Sequence, residues 1–173
     1  MKKIKVLDIT LVAIFAAIVA VCSIISIPLP TGVAITLQTF AIALCGFTLG
    51  RIKGVIAVVV YILLGIIGLP VFSNFNSGIG VILGPTGGFI VGFIPMVILC
   101  GEYKNKVLYY LMPYLGLAIC HLLGVLQFCR FTGTGILKGF LLVSVPYIIK
   151  DVASIVLAQQ VAKPVKKFLK SKE

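Results

Sequence analysis

The sequence predicts an all-α integral membrane protein with six transmembrane helices and both termini in the cytoplasm. Three observations carry that prediction. Of 173 residues, 61% are hydrophobic and only 11% charged. Mean hydropathy is +1.24. The cations stand between apolar blocks rather than in one patch. Soluble domains run about 45–50% apolar and about 25% charged, so charges this sparse cannot shield such a chain from water. The net charge of +11 would point to nucleic acid in a soluble domain, but its scattered placement argues against a nucleic-acid partner and for a lipid bilayer.

The blocks cover roughly Asp8 to Pro28, Thr36 to Gly50, Gly54 to Leu69, Gly87 to Gly101, Val107 to Phe128 and Val145 to Lys166. At about 20 residues per span, six helices use most of the chain, which leaves one transmembrane domain over 1–173 and no soluble one. The first block follows Met1-Lys2-Lys3-Ile4-Lys5, as a signal peptide would. Val21 stands where a lipoprotein cleavage site needs a small residue, and the run from Ile9 to Ile27 exceeds a signal core, so an uncleaved first span is expected. Its Ala13, Ala16, Ala17 and Ala20 are three and four residues apart and share one face. Small residues there let another helix approach closely, within this bundle or from a partner.

The second, third and fourth blocks are short, and are expected to end in the headgroup zone or to continue as loop buried in protein. The fifth carries the only histidine, His121, for which a hydrogen bond to a neighbouring helix is the expected role. Pro146 is expected to open the last helix. The segments assigned to the cytoplasm hold Lys2, Lys3, Lys5, Arg51, Lys53, Lys104, Lys106, Lys163, Lys166, Lys167, Lys170 and Lys172, which is 12 of the 15 cations; that bias sets the orientation. The five cysteines have no zinc or redox spacing and read as small apolar residues.

Enzyme motifs are missing. There is no G-x-S-x-G or H-E-x-x-H, and Gly46 to Arg51 lacks the lysine and hydroxyl of a phosphate-binding loop. The chain is read as a non-enzyme without a catalytic cofactor, unable to hydrolyse ATP itself. The informative residues are polar groups that lipid should exclude. Of four acids, Asp8 stands at the start of the first block, Glu102 in a cytoplasmic loop and Glu173 at the terminus, which leaves only Asp151 inside a block, beside Lys150; such residues usually face the protein interior and mark a ligand or ion path. The alternative is that Lys150 snorkels to headgroups while Asp151 complements the helix dipole. Adjacent residues point about 100° apart on a helix, so the two are expected to border one cavity without sharing a direction.

Two uncharged outer connections, 28–39 and 68–88, suit segments folded over a cavity, or simply packed on the bundle. They supply Thr36, Gln38, Asn74 and Asn76 as polar candidates and Phe72 and Phe75 as apolar ones, with Tyr147 from the last helix. Thr36 and Gln38 are equally suited to anchor the loop.

The order Pro28-x-Pro30, Leu37-Gln38-Thr39, Leu49-Gly50-Arg51, Gly65-x-x-Gly68-Leu69-Pro70-Val71-Phe72 and Leu83-Gly84-Pro85-Thr86-Gly87-Gly88-Phe89-x-x-Gly92-Phe93 closely resembles the biotin-transporter family called BioY. The resemblance covers nearly the whole chain. It implies the bundle of an S component, the substrate-capturing subunit of energy-coupling factor (ECF) transporters, which binds biotin near the outer face. It also implies partners, a transmembrane coupling subunit and two ATPase subunits that hydrolyse ATP, with the alanine face of the first helix meeting the coupling subunit. Carried over by residue, Asn74 matches the family's loop asparagine and Asp151 its last-helix aspartate. Lys150 is the candidate basic partner, although many relatives place a lysine three residues after the aspartate, where this chain has Ser154.

Other readings stay open on the residues alone: an S component for thiamine or riboflavin, a solitary carrier driven by an ion gradient, or an intramembrane enzyme acting on a lipid. The last requires His121 and Asp151 to converge.

Overall fold

The structure, a computed structural model, describes residues 6–170. Lys2, Lys3, Lys5 and Lys172 of the cationic set lie outside them. Helix α1 (Val6–Ile24) leads into a two-stranded antiparallel hairpin, β1 (Ser26–Ile27) with β2 (Ile35–Thr36), in which Ser26 faces Thr36. Then come α2 (Gln38–Ile66), a single 3₁₀ turn (Ser73–Phe75), the short α3 (Ile79–Leu83), α4 (Gly87–Leu99), α5 (Lys106–Thr132), α6 (Ile136–Val143) and α7 (Val145–Lys170). The fold is helical throughout. Among the described residues three helices, α1, α2 and α5, have the length and apolar composition of a bilayer span, and α6 with α7 make a fourth candidate across a 50° bend. Helix α4 has 13 residues, short of a full crossing as the sequence suggested.

Helix α2 joins the second and third predicted blocks into one 29-residue run, yet it is not straight. Gly50 sits at φ 77°, ψ −178°, a backbone region open almost only to glycine. Beyond it the chain doubles back. Tyr61 lies 2.8 Å from the side chain of Gln38, 23 residues earlier; a continuous helix would part them by roughly 34 Å. Arms 38–49 and 51–66 are therefore antiparallel, and the two predicted blocks survive as two short helices joined by one residue.

Around this hairpin pack α1, α4 and α7. The core joins Phe15, Val19, Ile42, Phe47, Val58, Tyr61, Phe93, Met96 and Ile155. Helix α4 lies against α5 at backbone distance: a Cβ added at Gly92 would fall 2.8 Å from the Cys120 Cα, so the crossing depends on the small residue. Cys45, Cys100 and Cys120 are buried within this apolar interior.

The alanine stripe of α1 does not stay together. Ala16 and Ala20 are buried in the core, whereas Ala13 and Ala17 are exposed. Spacings of three and four residues still spread a stripe over roughly 100°, and the edge of the α1–α2 contact runs through it. For Ala16 and Ala20 the close helix is this chain's own.

Charge collects at one end of the bundle. Lys53 pairs with Asp8, Lys166 with Glu102, and Arg51 stacks 4.4 Å over the Tyr103 ring. The start of α7 lies at the other end, since Asp151 and Lys166 are 15 residues and roughly 22 Å apart along one helix.

Candidate functional site

At that far end a cavity opens under the two uncharged connections. Its wall takes Val33, Thr36, Gln38 and Thr39 from the first, Ser73 and Thr86 from the second, Phe89, Ile90 and Phe93 from α4, Leu117, Cys120 and His121 from α5, and Val143, Tyr147, Lys150 and Asp151 from the α6–α7 corner. The cavity is narrow, with room for a few waters.

The loops are held over it by groups that lipid would exclude. Thr36 donates its hydroxyl to Gln38, and the Gln38 amide donates to Tyr61, which in turn donates to Ser23 on α1. The Tyr147 hydroxyl donates to the Val33 carbonyl and lies 3.5 Å from the Thr31 hydroxyl. The first connection is thus pinned from both sides, and Thr36, Gln38 and Tyr147 act as anchors while lining the cavity.

Asp151 is 5% exposed. Its Oδ2 lies 3.1 Å from His121 Nε2, and its Oδ1 meets the Lys150 ammonium. Lys150 also donates to the Thr36 carbonyl at 2.9 Å. The expectation that Lys150 and Asp151 diverge is corrected here. Their backbones do point apart, but four flexible carbons let the ammonium curl onto its neighbour's carboxylate. Lys150 turns to the cavity wall and to Asp151 rather than away from the protein.

Of the sequence candidates, the fold brings Thr36, Gln38, Tyr147, Lys150 and Asp151 to the cavity. It leaves four outside the wall. Phe72 is buried in the core with its ring edge-on to Tyr61. Asn74, Phe75 and Asn76 are exposed. Asn74 accepts from Ser26 through its side chain at 2.9 Å, and Asn76 donates to the Ser73 carbonyl. Asn74 and Phe75 are left-handed, at φ 57° and 58°, a conformation that asparagine tolerates and phenylalanine resists. Sequence reasoning missed Ser73 and Thr86; for His121 it expected the hydrogen bond to a neighbouring helix that the structure shows, but did not name Asp151 as the partner. Hydroxyls in a loop give no signal of direction, and His121 stands 30 residues from Asp151 on another helix.

The arrangement suits capture of a small neutral or anionic molecule: a mostly apolar pocket, one fixed acceptor and one mobile cation. The model of the BioY family matches residues 1–171. The chain belongs to the BioY family. It is 37% identical over 158 residues to "Probable biotin transporter BioY" of Pyrococcus horikoshii, covering 91% of this chain and 95% of that protein. It is 40% identical over 159 residues to "Biotin transporter BioY" of Thermotoga maritima, covering 90% and 93%. Its fold superposes with a TM-score of 0.85 on the crystal structure of an S component for biotin from an ECF-type ABC transporter, over 96% of this chain and 94% of that one, at 24% identity. BioY relatives carry a transport role rather than a catalytic one. His121 and Asp151 do converge, as the lipid-enzyme reading required, but the relatives that this chain matches are named transporters.

Proposed function

We propose that the chain is the biotin-capturing S component of an ECF transporter, a single domain over 1–173 that crosses the cell membrane six times with both termini inside. It takes biotin at the outer face, and a transmembrane coupling subunit with two ATPase subunits drives release inward. Asp151 carries this reading: a lone buried carboxylate on a lidded cavity, in a chain whose relatives are named biotin transporters. The cationic end lies opposite the cavity, as the positive-inside rule asks if the cavity faces outward.

Biotin has two ureido N–H donors, a ureido carbonyl, an apolar bicycle and a carboxylate on a four-carbon chain. Ionised Asp151 accepts from the ureido head, Lys150 pairs with the acid, and Phe89, Phe93 and Tyr147 contact the bicycle. One molecule cannot touch Lys150 and Asp151 at opposite ends while they touch each other. Binding therefore draws the Lys150 ammonium away from Asp151 and toward the mouth, which its flexible stem permits. Asn74, Asn76, Phe72 and Phe75 join the ligand only if the 68–88 connection moves inward. On α1, the exposed Ala13 and Ala17 supply the docking face for the coupling subunit.

The test is equilibrium binding of labelled biotin to the purified chain, with thiamine and riboflavin as competitors. Saturable binding that neither vitamin displaces supports the proposal. Displacement by either, or no biotin binding, overturns it; cationic thiamine is disfavoured in advance by Lys150. Uptake by cells lacking every ECF partner would instead support the solitary carrier.

A further inference from the structure

His121 is buried on α5, 7% exposed, and every polar atom of its ring is used. Nε2 lies 3.1 Å from Asp151 Oδ2, and Nδ1 lies 2.7 Å from the Ser144 hydroxyl. The ring meets Phe89 edge-on, with centroids 5.8 Å apart. Ser144 is itself fully buried, at the bend between α6 and α7. One imidazole thus ties together α5, the α6–α7 corner and the acid of the cavity.

The direction of these bonds follows from the groups. An ionised carboxylate only accepts, so Nε2 is the donor; the serine hydroxyl donates or accepts and completes the chain whichever proton Nδ1 holds. A hydrogen bond to an ionised carboxylate is roughly twice as strong as one between neutral groups. Because α7 packs mainly on α2 and only lightly on α5, the imidazole is the group that ties the Asp151 carboxylate to α5, while Lys150 meets its other oxygen from the same helix. A carboxylate so held presents an acceptor to the cavity.

We propose that His121 is a positioning residue for ligand capture, whose Nε2–H holds Asp151 as a fixed acceptor so that the site selects a ligand head that donates N–H groups. The proposal rests on the biotin reading, and its failure is separable from the failure of that reading. It concerns the ureido head and leaves the acid end of the ligand to Lys150.

The experiment measures equilibrium binding of biotin and of biotin methyl ester to the purified chain, to His121→Asn and to His121→Gln. An asparagine amide reaches about as far as Nδ1 and keeps the bond to Ser144, but falls short of Asp151. A glutamine amide reaches about as far as Nε2 and restores an N–H to Oδ2. The expected result is a loss of at least tenfold in affinity for His121→Asn, equal for acid and ester, with most of the affinity recovered in His121→Gln. If both variants bind equally weakly, or His121→Asn binds as tightly as the parent chain, the assignment is wrong. If His121→Asn cannot be recovered as folded protein, His121→Gln decides alone: affinity within threefold of the parent upholds the assignment, and a loss of tenfold or more overturns it. Failure of the parent chain to bind biotin at all overturns the function proposed above instead.

Discussion

On the proposed function two residues decide what the cavity reads, and each has its own signature. Asp151 is the only acid on the wall, so Asp151→Asn is expected to weaken biotin binding by at least about 1.4 kcal/mol, a tenfold change, measured on folded, purified protein. An asparagine keeps the volume but offers an N–H where the ligand also offers one, and unchanged affinity would remove Asp151 from the site. Lys150 behaves differently, since its proposed contact is with the acid of the ligand. Lys150→Ala is expected to harm biotin more than biotin methyl ester, and equal losses would show that the ammonium serves only its bonds to Thr36 and Asp151. At this scale the sequence was most legible where lipid made a polar group expensive. A carboxylate and a lysine inside an apolar block stand out. The direction of their side chains did not, because a helical wheel places Cα–Cβ bonds and says little about a four-carbon stem. His121 gave no such signal, because its partner comes from another helix and only packing brings them together.

Helices and turns carry the second set of consequences. Gly50 closes the α2 hairpin at φ 77° with nothing within 4 Å of an added Cβ, so Gly50→Ala meets no steric obstacle and its cost is purely backbone. About 1–3 kcal/mol is expected for such a conformation, seen as a lower thermal midpoint in detergent. Gly80→Ala in α3 is the control, since that residue is also uncrowded and has no positive φ; an equal loss there would show that the effect is not conformational. The split alanine stripe gives a matched pair. Ala13→Trp and Ala17→Trp, on the exposed face, are expected to abolish co-purification with a coupling subunit while biotin binding persists. Ala16→Trp, at 1% exposure, is expected to destabilise the chain itself. Loss of co-purification in neither exposed variant would move the docking face elsewhere. Hydrophobic blocks marked these elements well, including the short arms of α2, because apolar length is set by the bilayer. Helix α6 and the β1–β2 hairpin went unread: each is brief, and their role depends on covering a site that composition does not reveal.

Across the whole molecule, polar chemistry divides between two ends of an apolar bundle. One end gathers Arg51, Lys53, Lys104 and Lys166 around Asp8 and Glu102; the other gathers hydroxyls and amides around the single Lys150–Asp151 pair. That separation was visible in the sequence as charged turns alternating with uncharged ones, and it underlies the proposed orientation. The same separation supplies the central claim, that the cavity end holds a ligand whose head rests on Asp151. A crystal structure of the chain with biotin measures this most directly. The account predicts a ureido nitrogen within about 2.7–3.2 Å of an Asp151 oxygen, with the Lys150 ammonium moved off that carboxylate and onto the acid of the ligand. Biotin seated instead in the apolar groove between α5 and the α6–α7 corner lined by Leu122, Val125, Phe140 and Ile148, with the Lys150–Asp151 pair intact, would contradict it.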